Sequence, residues 1–245
     1  MCEFFLYRSV GVSNMDMITK VIGLIILSVG LCFLFLYVSK SEKYDENEKY
    51  VEDKMNQIIT KITDSFDIKL LSVKFCLDIV IACMLLLFYQ NTFLDSLNTM
   101  VLVNALFVIT LYDLKYHIIP NRALITLLGI KVIVVLLTIF TAKEISALFI
   151  LIDMLIAGLA FLLIGVVCRF MNKNAIGMGD VKLLSVIGIV LGVNDSFHMV
   201  ITGMVCIFFV SVIGLFLKKL TRDSELPLAP FIFAGLIISA ISMGV

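Results

Sequence analysis

Apolar residues fill this chain in long runs, and polar residues gather in the stretches between them. The runs fall at about 17–38, 70–89, 97–113, 122–141, 145–168, 181–193, 198–217 and 227–245. Most approach the roughly 20 apolar residues that carry a helix across a bilayer. Helices satisfy their own backbone hydrogen bonds in lipid, so the pattern predicts an all-α fold: a polytopic transmembrane helical bundle of about eight spans. The run at 181–193 is the exception in length. At about 1.5 Å per residue it reaches only about 20 Å, against a hydrocarbon core of about 30 Å. That shortfall predicts a helix starting below the membrane surface, with the NAIGMG stretch (174–179) dipping to meet it. Irregular backbone at that depth is tolerated only against protein or a water-filled cavity, which puts Asp180 in a wet pocket.

The run at 17–38 is too long for a signal-peptide core and lacks a small-residue cleavage site, so it reads as a retained anchor. Residues 39–69 form the one long polar segment, with charges of both signs; its second half can form an amphipathic helix with Met55, Ile58, Ile59 and Ile62 on one side. The expected organisation is an N-terminal region with the first span (1–38), a polar cytoplasmic connector without zinc-binding cysteines (39–69), and a membrane-embedded domain (70–245).

Charge fixes an expected orientation. QNTFLDSLN (90–98) and NDSFH (194–198), both read as loops, contain no Lys or Arg. DLKYHIIPNR (113–122), RFMNKNAIGMGDVK (169–182) and KKLTRDSE (218–225) are basic. The positive-inside rule then places 39–69, 113–122, 169–182 and 218–226 in the cytoplasm and both termini outside.

Composition agrees with the span pattern. The 245 residues are 61% hydrophobic with no net charge, and mean hydropathy is +1.12. A soluble domain could not bury that surface, and nothing in the charge points to nucleic acid; lipid is the expected surrounding partner. The six cysteines form no CxxC pair, and five lie in or beside apolar runs, where they act as small apolar filler. His117 and His198 stand alone, each read as lying in a loop. No metal site and no cofactor is expected. Trp is absent, so Tyr, Lys and Arg must anchor the interfaces.

Two acids stand at corresponding places. Asp113 ends one run, in LYDLKYHIIPN, and Asp180 begins another, in GMGDVKLL. Both fall at the cytoplasmic edge. Two close carboxylates cannot both ionise easily and share a proton. The charged one can take a proton from water while the neutral one gives a proton to a carbonyl oxygen or leaving amine, which is peptide hydrolysis without a covalent intermediate. Gly177 and Gly179 would open backbone conformations closed to other residues and allow a substrate strand to approach. The plain alternative is that Asp180 is a helix N-cap and Asp113 an interface marker. All three prolines, Pro120, Pro227 and Pro230, stand at helix starts on the same side, either as ordinary starters or as parts of the site. Lys74 and Asp78, four apart, share a helix face and can pair; Lys131 and Asp153, in neighbouring spans, could form a second internal pair or line a polar path.

DLKYHIIPN, GMGDVKLL and LPLAPFIFAG, in that order, resemble the type IV prepilin peptidase family, the GxGD-type membrane aspartyl proteases. The resemblance covers about residues 97–245. It implies an aspartic endopeptidase of the inner (plasma) membrane that removes the short basic leader of type IV prepilins or pseudopilins at the cytoplasmic face. Asp113 and Asp180 would be the dyad, with Gly177, Gly179, Lys182, Pro120, Pro227 and Pro230 as substrate-binding or structural support. Lys182 matches the family's lysine, but no role for it follows from the residues, and a structural job, such as reaching a phosphate headgroup, is equally open. Many bacterial members carry two zinc-binding CxxC pairs after the first span and also N-methylate the product; residues 39–69 have no cysteine, which leaves methyl transfer open. The substrate's identity and the oligomeric state are not legible. Two other readings compete. A presenilin-like protease also pairs a YD (Tyr112, Asp113) with GxGD, but Asp113 leads straight into Lys115 and His117, which argues for a shallow site. A proton- or ion-coupled transporter would show internal repeats, and none is evident.

Overall fold

The structure is a computed structural model, and it describes residues 14–40, 74, 76, 78–81, 93–141, 144–171, 177–218 and 226–243. It contains helices α1 (Asn14–Lys40), α2 (Phe93–Tyr116), α3 (Asn121–Thr141), α4 (Glu144–Met171), α5 (Met178–Leu191), α6 (Val193–Phe216) and α7 (Ala229–Met243). Residues 74, 76 and 78–81 are also helical, within the run expected at 70–89. No strand occurs among the described residues. The protein is therefore all-helical, as the run pattern predicts. Ser96–Leu114, Asn121–Ile139, Phe149–Met171 and Val193–Phe216 are long and apolar enough to cross a membrane, and Ile22–Val38 and Ala229–Ser242 are shorter apolar stretches. The connector at 39–69, apart from the end of α1, lies outside the described residues.

α2 is the central helix. Met100, Leu102, Val103, Leu106 and Ile109 are fully buried on it, and it packs against α1, α3 and α7. A helix apolar all round belongs in the interior. α4 and α6 instead show wide apolar outer faces, including Leu155, Leu159 and Leu163 on one and Met204, Phe208 and Phe209 on the other. Lipid satisfies such faces, so their exposure identifies the bilayer-facing side.

α5 is short, at 14 residues, about 21 Å. It is an interior helix: nearly every residue from Val181 to Val190 is buried. Glycines let it approach its neighbour closely. A Cβ at Gly188 would sit 2.8 Å from the Ala157 carbonyl group of α4, and one at Gly165 of α4 would sit 2.6 Å from Val181. With lipid outside, helices gain no hydrophobic drive toward one another, so such small-residue contacts carry the packing.

Two boundaries differ from the sequence reading. α6 starts at Val193, so NDSFH is the first turns of a helix and His198 is helical rather than in a loop. The reason is Gly192, at φ +82, which ends α5 and starts α6 in one residue; the polar residues 194–196 then fall in a helix first turn, where acids and serine are favoured. α5 starts at Met178, so Asp180 is inside the helix rather than ahead of it, and the N-cap is Gly177.

Buried polar residues staple the other side of α2. Lys74 and Asp78 pair at 2.6 Å, as their spacing predicts. Ser28 of α1 donates to Asp78 at 2.5 Å, and Lys74 donates to Asn104 of α2. Lys131 and Asp153 do not pair with each other. Lys131 donates to Asn98 at 3.3 Å, and Asp153 of α4 accepts from the Val193 amide at 3.2 Å. The first free amide of α6 claims that carboxylate, because helix N-termini leave donors without partners inside the helix.

Candidate active site

The three motif segments meet at one end of the bundle. α2 carries Asp113 one turn before its C-terminus. The helix then stops at His117, whose φ of 52° is left-handed and whose amide donates back to the Asp113 carbonyl at 2.9 Å. This turn swings Ile118, Ile119 and Pro120 across the helix end. Pro120 is buried and its carbonyl accepts from Leu124 at 3.4 Å, opening α3.

Asp113 is 4% exposed. Its Oδ2 accepts the Ala229 amide at 2.9 Å. Ala229 is the first residue of α7, so a carboxylate from α2 closes the N-terminus of a helix that begins more than a hundred residues later. The neighbouring prolines suit that place: Pro227 precedes the helix and Pro230 lies in its first turn, where a missing N–H costs nothing. One Asp113 oxygen, Oδ2, is thereby held by the α7 amide.

Asp180 is the third residue of α5. Its carboxylate folds back over Gly177, whose amide donates to it; an acid at this position satisfying the cap residue's amide is half of a capping box. A Cβ at Gly177 would stand 3.1 Å from Asp180 Oδ2. The backbone of Gly177 is ordinary extended chain, at φ −64°, and Gly179 is helical. The expectation that these glycines supply unusual dihedrals is therefore corrected: among described glycines only Gly192 has positive φ. Their value is space, since Gly179 also abuts Ile119, whose Cβ would lie 3.3 Å from an added Cβ.

Asp180 stands at the helix start, ahead of the apolar run. Burial, then the charge of Asp113, push its pKa up from 3.8 to about 6, against the opposing pull of the Gly177 amide. Two acids from α2 and α5 thus feel each other's charge in a desolvated corner. Lys182 does not face Asp180; its Nζ reaches Asn121 Oδ1 at 3.1 Å. The predicted residues Pro120, Gly177, Gly179, Asp180 and Lys182 gather around the α2–α3 turn, while Pro227 and Pro230 join through Ala229. Sequence reasoning passed over Ile119, Asn121 and the Ala229 amide. The first two lay within the quoted IIPN stretch; a backbone amide leaves no mark in a side-chain pattern. No group of three or more metal-binding side chains occurs among the described residues.

The fold and this corner define a polytopic helical membrane protein with two interacting acids at one end of its bundle. Residues 100–218 match the type IV leader peptidase family, which bears out the resemblance carried by the motifs. Asp113, Pro120, Gly177, Gly179, Asp180 and Lys182 lie inside the matched segment; Pro227 and Pro230 lie beyond it. The chain is also 30% identical over 159 residues to a prepilin leader peptidase/N-methyltransferase of Bacillus subtilis (strain 168), covering 60% of this chain and 56% of that protein. The chain thus spans about half the length of the curated relative it matches. No solved structure matches it significantly.

Proposed function

We propose that this protein is a prepilin leader peptidase of the inner (plasma) membrane, and that Asp113 and Asp180 are its catalytic dyad. The observation that carries the reading is the pairing itself: Asp180, pushed up to about 6 by burial and by Asp113, beside an acid whose other oxygen is tied to α7. Such a pair holds one proton across a range of pH. The ionised member takes a proton from water as the water attacks the scissile carbonyl and the protonated member donates its proton to the carbonyl oxygen. The acid that took the water proton then gives it to the leaving amine as the C–N bond breaks, and the hydroxyl of the collapsing diol returns a proton to the other acid. The substrate class is a type IV prepilin or pseudopilin, whose basic leader ends just before a hydrophobic helix. Asp113 lies one turn from a helix end, which favours cleavage at the membrane face over cleavage within the bilayer. The basic segments flanking both acids support a cytoplasmic site.

The test is co-expression with a prepilin, comparing the wild type with Asp113→Asn and Asp180→Asn. Leader removal should stop in both variants while the protein stays in the membrane at normal abundance. Normal processing by either variant would remove the dyad. The mass of the mature pilin's N-terminus, with or without one added methyl group, decides methyl transfer in the same experiment.

A further inference from the structure

The helices that carry the two acids lean on different neighbours. α2 packs on α1, α3 and α7; α5 packs on α3, α4 and α6. α3 is the shared support, and its first residue is Asn121. At the far end of α5, Asn98 of α2 donates to the Val190 carbonyl at 3.4 Å. A tie there leaves the opposite end, where Asp180 sits, able to pivot unless it too is fastened. Val181 against Gly165 holds this end on α4, and two contacts fasten it to the α2–α3 turn. Ile119 lies against Gly179, where an added Cβ would come within 3.3 Å. Three residues further along α5, Lys182 Nζ donates to Asn121 Oδ1 at 3.1 Å.

We propose that Asn121 and Lys182 are positioning residues: a clasp between the start of α3 and the first turns of α5 that holds Asp180 at working distance from Asp113. The inference rests on reading the two acids as a dyad. The bond is exposed, so it adds little to the stability of the fold. Its effect falls on geometry instead, where displacement of about 1 Å costs about 100-fold in rate. Lys182 suits the task because its charge strengthens the bond to the amide oxygen. Arginine can make the same bond, and methionine has similar bulk without a donor.

Purified Lys182→Met, Asn121→Leu, their double variant and Lys182→Arg are compared on a prepilin substrate. Both single variants should lose kcat by about 10- to 100-fold with KM unchanged. The double variant should be no worse than either single one, and Lys182→Arg should recover most of the rate. A second readout needs no peptidase activity: the pH midpoint of carbodiimide modification at Asp180, followed by mass spectrometry. It should fall below about 6 in the Met and Leu variants, as Asp180 moves away from Asp113, and hold in the Arg variant. A raised KM in Lys182→Met with a normal Asn121→Leu enzyme would make Lys182 a substrate contact and overturn the clasp. Losses that multiply in the double variant, or an unmoved midpoint, would overturn it as well. If Asp113→Asn and Asp180→Asn cleave normally, the dyad reading fails, while the Asp180 midpoint still decides whether the clasp holds α5.

Discussion

Two places among the described residues keep a buried carboxylate, and they treat it in opposite ways. On one side of α2, Asp78 is 1% exposed and faces Lys74 at 2.6 Å, with Ser28 donating to the same oxygen. Charge is balanced within one helical turn. At the end of α2, Asp113 is 4% exposed, and its charge bears on another acid, Asp180. An amide of α7 holds one oxygen, and among the described residues no ion pair reaches it. The contrast separates two uses of a charge in an apolar setting. A balanced pair is inert and fixes which helices meet. An unbalanced pair keeps a proton in play near neutral pH, which hydrolysis needs and packing does not.

That comparison breaks most sharply at the acids. Asp113→Asn or Asp180→Asn should reduce leader cleavage at least about 1,000-fold, a scale set by what loss of an essential acid or base removes. The Asn at 113 can still accept from the Ala229 amide, so α7 should stay docked; unchanged protease resistance of the folded protein checks this.

The balanced site should answer with stability instead of rate. Lys74→Met or Asp78→Leu alone leaves an unpaired buried charge and should cost about 3–5 kcal/mol, while the double variant should recover most of it. Thermal unfolding in detergent, with cleavage measured on the folded fraction, tests the claim. Loss of kcat in the double variant at wild-type stability would give this cluster a part in catalysis and collapse the comparison.

Packing lies between the two. Gly188→Ala places a Cβ 2.8 Å from the Ala157 carbonyl group, so α4 and α5 must separate. Destabilisation of about 1–3 kcal/mol is expected, together with reduced cleavage, because α5 carries Asp180.

The smallest effect depends on pH and follows from the sign of the Asp180 shift. Its pKa rises from 3.8 to about 6 on folding. The folded state thus binds this proton more tightly, and the stabilisation is complete below about pH 4 and lost as pH rises through about 6. Asp180→Asn should therefore raise stability at neutral pH by about 1 kcal/mol once solvent screening is allowed for, seen as a higher melting temperature, with no gain near pH 4. The same titration should make kcat/KM fall above about pH 6 as the second proton leaves the dyad.

Local sequence carried a large part of this result. Long apolar runs determined an all-helical membrane fold, because lipid accepts only backbone that satisfies itself. The i,i+4 spacing of Lys74 and Asp78 determined their pairing, since residues one turn apart meet on any helix. Asp113 and Asp180 stood out as acids at the edges of apolar runs. What the sequence left open was every relation across distance. Asp153 went to the Val193 amide instead of Lys131, because a free helix N-terminus competes for a carboxylate and its place is set by how helices stack. NDSFH turned helical because Gly192 closes one helix and opens the next without a loop. The same holds at the acids. The Ala229 amide on Asp113, Ile119 against Gly179 and Lys182 on Asn121 join residues far apart in the chain. Helix geometry is written in spacing along the chain; the partner each helix end meets is decided only when glycine-lined faces bring whole helices together.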